Sequence, residues 1–140
     1  MVFLDTNIFL YAAGAEHPLR SPCQHILQMY GDGILEATTS AEIVQEVLYV
    51  LHRRGHVDAA LHLSRQILDL FPHLLSITRQ EMLQACHVMS AYPNLPARDA
   101  VHVATMQRHK LSVMVSADRH FDGIDAIQRV DPIDANTLGS

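Results

Sequence analysis

The sequence predicts an α/β fold built on a parallel sheet, and three observations carry that expectation. Short apolar runs without polar alternation, Val2-Phe3-Leu4 and the stretch 112–115, read as strands buried on both faces, as parallel strands are. Longer segments with apolar residues at helical spacing lie between them, and strands alternating with helices imply parallel pairing through right-handed crossovers. An acid, Asp5 or Asp118, stands just past the end of each of these two strands.

The elements follow in chain order. Residues 2–4 form the first strand and 7–13 continue with helical spacing. Ser21-Pro22 reads as a cap followed by proline at the first helical position, opening a helix to about Tyr30 that ends at Gly31-Asp32-Gly33. Residues 34–38 are a second strand, after which Thr39 or Ser40 caps a helix that runs to about Arg54 and stops at Gly55. Residues 57–70 are helical through Ala60, Leu61, Ile67, Leu68 and Phe71, and Pro72 ends them. Residues 74–77 read as a third strand. Thr78-Arg79-Gln80-Glu81 fits a capping box for a helix to about Ala91. A loop over 92–96 leads to a helix over 97–109, then to the strand at 112–115 ended by Ser116-Ala117-Asp118. A turn of helix at 119–121 and an edge strand at 127–130, closed by Asp131-Pro132, complete one domain over 1–135, with a frayed tail at 136–140.

Composition narrows the function classes. Apolar residues make up 49% of the 140 and charged residues 18%, enough for a sizeable core and unlike a disordered chain. No run of eighteen apolar residues suggests a membrane span, and Asp5 comes too early for a secretory signal. Cys23 and Cys86 are far apart and make no C-x-x-C pair, so free thiols in a cytoplasmic protein are expected. The net charge of −5 argues against coating nucleic acid by charge alone, but not against gripping phosphate through a cation.

The acids give the chemistry. Strand-end acids in one parallel sheet lie on the same edge, where such sheets bind ligands, so Asp5 and Asp118 converge. Glu46 falls in or beside the apolar stripe of Ile43, Val47, Val50 and Leu51, where it is either an ion-pair partner or a site acid; Glu42, one turn earlier, is the fallback. Asp99, in the first turn of the helix opened by Pro96, is explained by the helix dipole alone, yet it can reach the same edge. Asp122 follows Asp118 by one helical turn as an additional acid. Gathered carboxylates repel one another unless a hard cation, Mg²⁺ or Mn²⁺, relieves them. Cation-assisted hydrolysis at phosphorus, with water attacking and no covalent enzyme intermediate, is the expected reaction. Asn7 and Ser116 either orient these carboxylates or cap local turns. Arg53 and Arg54 sit in the most basic stretch, a solvated helix end or a phosphate contact. Arg98 and Arg119 clamp a phosphate or pair with a carboxylate. Ten histidines include no H-E-x-x-H, although Asp99 and His102 are spaced to share a metal such as zinc.

Four segments carry a family resemblance: Leu4-Asp5-Thr6-Asn7-Ile8, Glu46-Val47-Leu48-Tyr49-Val50-Leu51, Arg98-Asp99-Ala100-Val101-His102-Val103-Ala104 and Ser116-Ala117-Asp118-Arg119-His120-Phe121-Asp122. In this order, over nearly the whole chain, they resemble the motifs of PIN-domain proteins, and most of all VapC-type toxin ribonucleases. The resemblance implies a three-layer α/β/α sandwich with a short central parallel sheet. It implies Mg²⁺- or Mn²⁺-dependent RNA endonuclease activity, with Asp5, Glu46, Asp99 and Asp118 as the acidic site, Asp122 as a further acid and Asn7 as the polar residue after the first aspartate. It also implies a homodimer inhibited by an antitoxin protein encoded alongside. A haloacid-dehalogenase-like phosphatase is the rival enzyme, but its motif needs an aspartate where Asn7 stands. A receiver domain would need a lysine beyond a late strand, whereas Lys110 precedes the fourth. A PIN fold without activity, serving as a binding module, is the third alternative.

Overall fold

The computed structural model describes residues 1–139. Four short parallel strands form its centre: β1 (Val2–Leu4), β2 (Ala37–Thr38), β3 (Val113–Val115) and β4 (Gln128–Val130), in the spatial order β2-β1-β3-β4. Helices α1 (Thr6–Ala13), α2 (Arg20–Gly31), α3 (Ala41–Arg53), α4 (Val57–Leu70), α5 (Arg79–Ala91) and α6 (Ala97–Arg108) flank this sheet, giving the expected three-layer α/β/α arrangement. Phe3, Leu4, Met114 and Val115 are fully buried, which is why the inner strands show no polar alternation. No helix among the described residues is long and apolar enough to cross a membrane.

The sheet edge that receives Asp5 is fixed by register. Phe3 pairs with Met114 and Leu4 with Val115, so β1 and β3 end level with each other. The Asp5 amide donates to the Val115 carbonyl, and the Ser116 amide to the Val130 carbonyl, extending the ladder just past the strand ends. Asp5 and Ser116 are thereby held side by side.

Several elements differ from the sequence expectation. The second strand is only Ala37–Thr38, and the expected strand at 74–77 is reduced to a single parallel bridge between Ser40 and Leu75. The cause is Ser40, which turns the chain into α3 and caps it through its hydroxyl, leaving Leu75 one residue to pair with. Helix α2 begins at Arg20 with Leu19 at the cap position, so Ser21 and Pro22 lie within its first turn, where proline's missing N–H is harmless. The last segment, expected as a tail from 136, belongs to a 3₁₀ helix over Pro132–Gly139, with Ala135 fully buried and Leu138 packed on the core. Gly55 ends α3 at φ +79°, a conformation any side chain would strain.

Helix α5 supports α6, which in turn carries Asp99 and His102. Its start is the capping box read from the sequence: the Thr78 hydroxyl accepts from the amides of the first turn while buried Glu81 accepts from the Thr78 amide and hydroxyl. Thr78→Ala is expected to cost about 1 kcal/mol, the usual worth of such a cap, read as a Tm lower by about 3–5 °C in a thermal melt. An unchanged Tm would mean that α5 is held by packing alone.

Candidate active site

Each candidate acid is delivered by a different element. Asp5 caps α1 at the end of β1 and is buried. Glu46 lies half-buried on α3, on the border of its apolar stripe, where Ile43 and Val47 are fully buried. Asp99 is in the first turn of α6, and Asp118 follows β3 at the cap of a 3₁₀ turn over Arg119–Gly123.

Asp5 is held by a closed set of donors. Its Oδ1 accepts the Thr6 amide at 2.8 Å; its Oδ2 accepts the Ser116 hydroxyl at 2.6 Å and the Asn7 side-chain amide at 3.1 Å. Asn7 also donates to Ser116 Oγ at 3.1 Å and accepts the Ala117 amide at 3.1 Å, while Ser116 Oγ accepts the Asp118 amide at 2.9 Å. Asn7 and Ser116 therefore brace the start of α1 against the loop that carries Asp118. The same bonds touch both the Asp5 carboxylate and the turn that leads to Asp118.

The carboxylates fall into two adjoining triads, Asp5-Glu46-His102 and Asp99-Asp118-His120, whose ligand atoms in each triad lie within 4.8 Å of one another. His102 Nε2 is 3.2 Å from Glu46 Oε1, and His120 Nδ1 is 3.2 Å from Asp118 and 3.6 Å from Asp99. Burial pushes the Asp99 carboxyl up to about 6; the charge of His102 opposes this, and the negative charges of Asp5, Asp118 and Glu46 add to it. Burial also raises Asp5, against the pull of His102, Ser116 and Thr6, with Glu46 adding repulsion. Burial acts upward on Glu46 too, but it ends below the ordinary range through the His102 hydrogen bond, the nearby Thr6 hydroxyl, and the charges of His102 and Arg98. The Thr6 hydroxyl acts there by proximity, since it makes no full hydrogen bond of its own. His102 is itself raised: burial works against its charge, but the Glu46 hydrogen bond and the Asp5, Glu46 and Asp99 charges prevail.

His102 and His120 are the residues the sequence did not assign. His102 is fully buried, and its Nδ1 has no hydrogen-bond partner. Its spacing from Asp99 was the one available signal. Asp122 joins neither triad: exposed, it is gripped by Arg129 through Nε at 2.7 Å and Nη2 at 3.3 Å. Arg129 also donates to the Ser116 carbonyl at 2.8 Å, so it straps the 3₁₀ turn to the strand ends. Arg119 is exposed. Arg54 lines a shallow cleft that also contains Asn7.

A donor set of this kind fits a divalent cation. It offers hard oxygens from four carboxylates, two of them raised by burial and mutual repulsion. Carboxylates that follow β1 and β3 and meet two more from α3 and α6 make an acidic cluster at one edge of a PIN-like sheet. The family model for the PIN domain matches residues 2–127, and the chain belongs to the PIN domain family. Within it, the chain is 32% identical over 133 residues to ribonuclease VapC13 of Mycobacterium tuberculosis, covering 93% of this chain and 99% of that one. It is 35% identical over 121 residues to ribonuclease VapC23 of the same species, covering 84% and 93%. Among solved structures, M. tuberculosis VapC20, a sarcin–ricin loop cleaving toxin, matches with TM-score 0.73 at 16% identity over 89% of this chain and 95% of that one. FitAcB from Neisseria gonorrhoeae matches with TM-score 0.71 at 19% identity over 95% and 99%; at such identities the likeness is one of fold.

Proposed function

We propose that this chain is a divalent-cation-dependent endoribonuclease and the toxin of a toxin–antitoxin pair. The observation that carries the reading is the meeting of Asp5, Glu46, Asp99 and Asp118, from four separate elements, around a space whose charge is balanced only in part by His102. The relatives named as VapC ribonucleases support it at 32–35% identity over most of their length. The four acids would hold one or two ions of Mg²⁺ or Mn²⁺. When bound, such a cation supplies polarisation of the phosphate and a lowered pKa for the attacking water. The chain's own residues do the positioning. Ser116 and Asn7 fix the Asp5 carboxylate, His102 holds Glu46, and His120 bridges Asp99 and Asp118. Arg98, Arg53, Arg54 and Arg119 are the candidate contacts for the RNA backbone.

The same reading includes a homodimer, an antitoxin partner and a cytoplasmic location. A toxin–antitoxin complex from Klebsiella pneumoniae shares the fold, with TM-score 0.68, and supports the antitoxin. Free Cys23 and Cys86 suit a reducing compartment.

Purified protein given RNA with Mg²⁺ or Mn²⁺ is expected to cleave it internally, and EDTA to abolish cleavage. Turnover of small phosphate monoesters with RNA left intact would replace this reading with a phosphatase. Asn7 argues against that outcome, since its amide is committed to Asp5, Ser116 and Ala117. Cleavage that persists in EDTA would remove the cation from the mechanism, and absent cleavage would leave only a binding module.

A further inference from the structure

We propose that Tyr49 is a positioning residue that gathers Arg53 and Arg98 into a binding site for a backbone phosphate of the RNA strand, beside the acidic pocket. The inference rests on the nuclease reading and adds to it the place where the strand is gripped.

Tyr49 lies three residues after Glu46 on α3, hence on the same side of the helix, and Arg98 directly precedes Asp99 on α6. The Arg98 guanidinium carbon sits 3.9 Å from the centre of the Tyr49 ring. The Arg53 carbon is 5.7 Å from the same centre, and Arg53 Nη1 donates to the phenol oxygen at 3.0 Å. One exposed ring thus holds two guanidinium groups from different helices. Among the described residues no carboxylate makes an ion pair within 4 Å of either; the attraction between Arg98 and Glu46 acts at longer range.

Two arginines left without acid partners are conspicuous in a chain of net charge −5, where pairing would be easy. Holding them together costs mutual repulsion, which the electron-rich ring face offsets. The fork of a guanidinium matches phosphate oxygens in pairs, and a group already stacked loses less freedom when it binds. An acidic pocket alone repels a polyanion, so positive charge at its rim is what lets a strand lie across it. An RNA phosphate answers all three features. A peptide carboxylate would answer the charge but has no need of the adjoining acids.

The test compares wild type with Tyr49→Ala, Tyr49→Phe and the double variant Arg53→Ala/Arg98→Ala. Affinity for a single-stranded RNA oligonucleotide is measured in EDTA over a salt series, and cleavage kinetics with Mg²⁺ or Mn²⁺. Tyr49→Ala and the double variant are expected to weaken binding about 5- to 10-fold, with the loss in KM rather than kcat. The double variant is also expected to flatten the slope of log affinity against log salt by about 1. Tyr49→Phe keeps the stack on Arg98 and is expected to retain most of the affinity. Unchanged affinity and salt slope, with wild-type RNA cleavage intact, would overturn the phosphate site and leave the arginines to an acidic protein surface. A fall in kcat with KM and slope unmoved would equally overturn it. Wild type that neither binds nor cleaves RNA would instead remove the nuclease reading itself.

Discussion

Asp5→Asn is expected to lower RNA cleavage about 100- to 1,000-fold, the scale for losing one preorganised electrostatic group, while the protein still folds. The substitution keeps the volume of the side chain and an oxygen able to accept the Thr6 amide or the Ser116 hydroxyl. What it removes is one full negative charge from the acidic pocket. It also places an amide NH₂ where a carboxylate oxygen took up donors, so Ser116 and Asn7 must turn. Ser116→Ala separates the two effects. It leaves the Asp5 charge in place and deletes one bond that aims it, and a partner of that kind is worth about 10- to 100-fold. Cleavage assays on both variants, with circular dichroism to confirm the fold, give the ordering: Asp5→Asn loses more than Ser116→Ala. Equal cleavage by Asp5→Asn and wild type would leave the acidic pocket without a chemical role. Equal losses in both variants would mean that the Asp5 shell, rather than its charge, sets the rate.

The sequence disclosed the site better than it disclosed the sheet. Asp5 and Asp118 were legible because a charge directly after a run buried on both faces has only the strand end to occupy, and parallel strands present that end on one edge. Glu46 was legible as an anomaly in an apolar stripe. His102 was less so, because α6 is buried almost all round: Ala100 to Met106 are all buried, and a helix without a polar face offers no periodicity to say which residue points at the acids. Asp122 misled because spacing from Asp118 cannot show that Arg129, from an edge strand, takes it first. The stretch at 74–77 looked like a strand because its composition is that of one, but pairing depends on the neighbour, and Ser40 leaves the sheet too early to supply it. Tyr49 belonged to a quoted motif, yet its two arginine contacts link α3 to α6, a tertiary fact without a local signal.

Without a cation, the acidic pocket is expected to destabilise the protein as pH rises, and Asp99→Asn to reverse part of that loss. Asp99 is the clearest contributor. Its carboxyl ionises near 3.8 in the unfolded chain and at about 6 when folded, so the folded state holds the proton more tightly. Stability from this group is therefore greatest below about pH 4 and is lost as pH rises through about 6, with the loss complete by about pH 7. At about 1.4 kcal/mol per tenfold change in proton affinity, that interval corresponds to at most about 3 kcal/mol. The side chain is only 15% exposed, so solvent screens little of it. His102 acts in the same direction, because its raised pKa stabilises the fold when protonated and this is lost as pH rises through the folded value. Glu46, lowered, contributes in the opposite sense, but only as pH falls through its own range. In EDTA, Tm is thus expected to fall between pH 5 and pH 8. Asp99→Asn, which cannot ionise, is expected to melt about 3–9 °C above wild type at pH 8, from a recovery of about 1–3 kcal/mol. Mg²⁺ or Mn²⁺ is expected to raise the wild-type Tm and to flatten its pH dependence, since a bound cation takes over the neutralising role of the protons. The same ions are expected to do much less for the variant. A wild-type Tm that is level across this pH range in EDTA, or an Asp99→Asn protein that melts lower than wild type, would mean that the carboxylates are already neutralised by the fold, and that the need for a cation lies elsewhere.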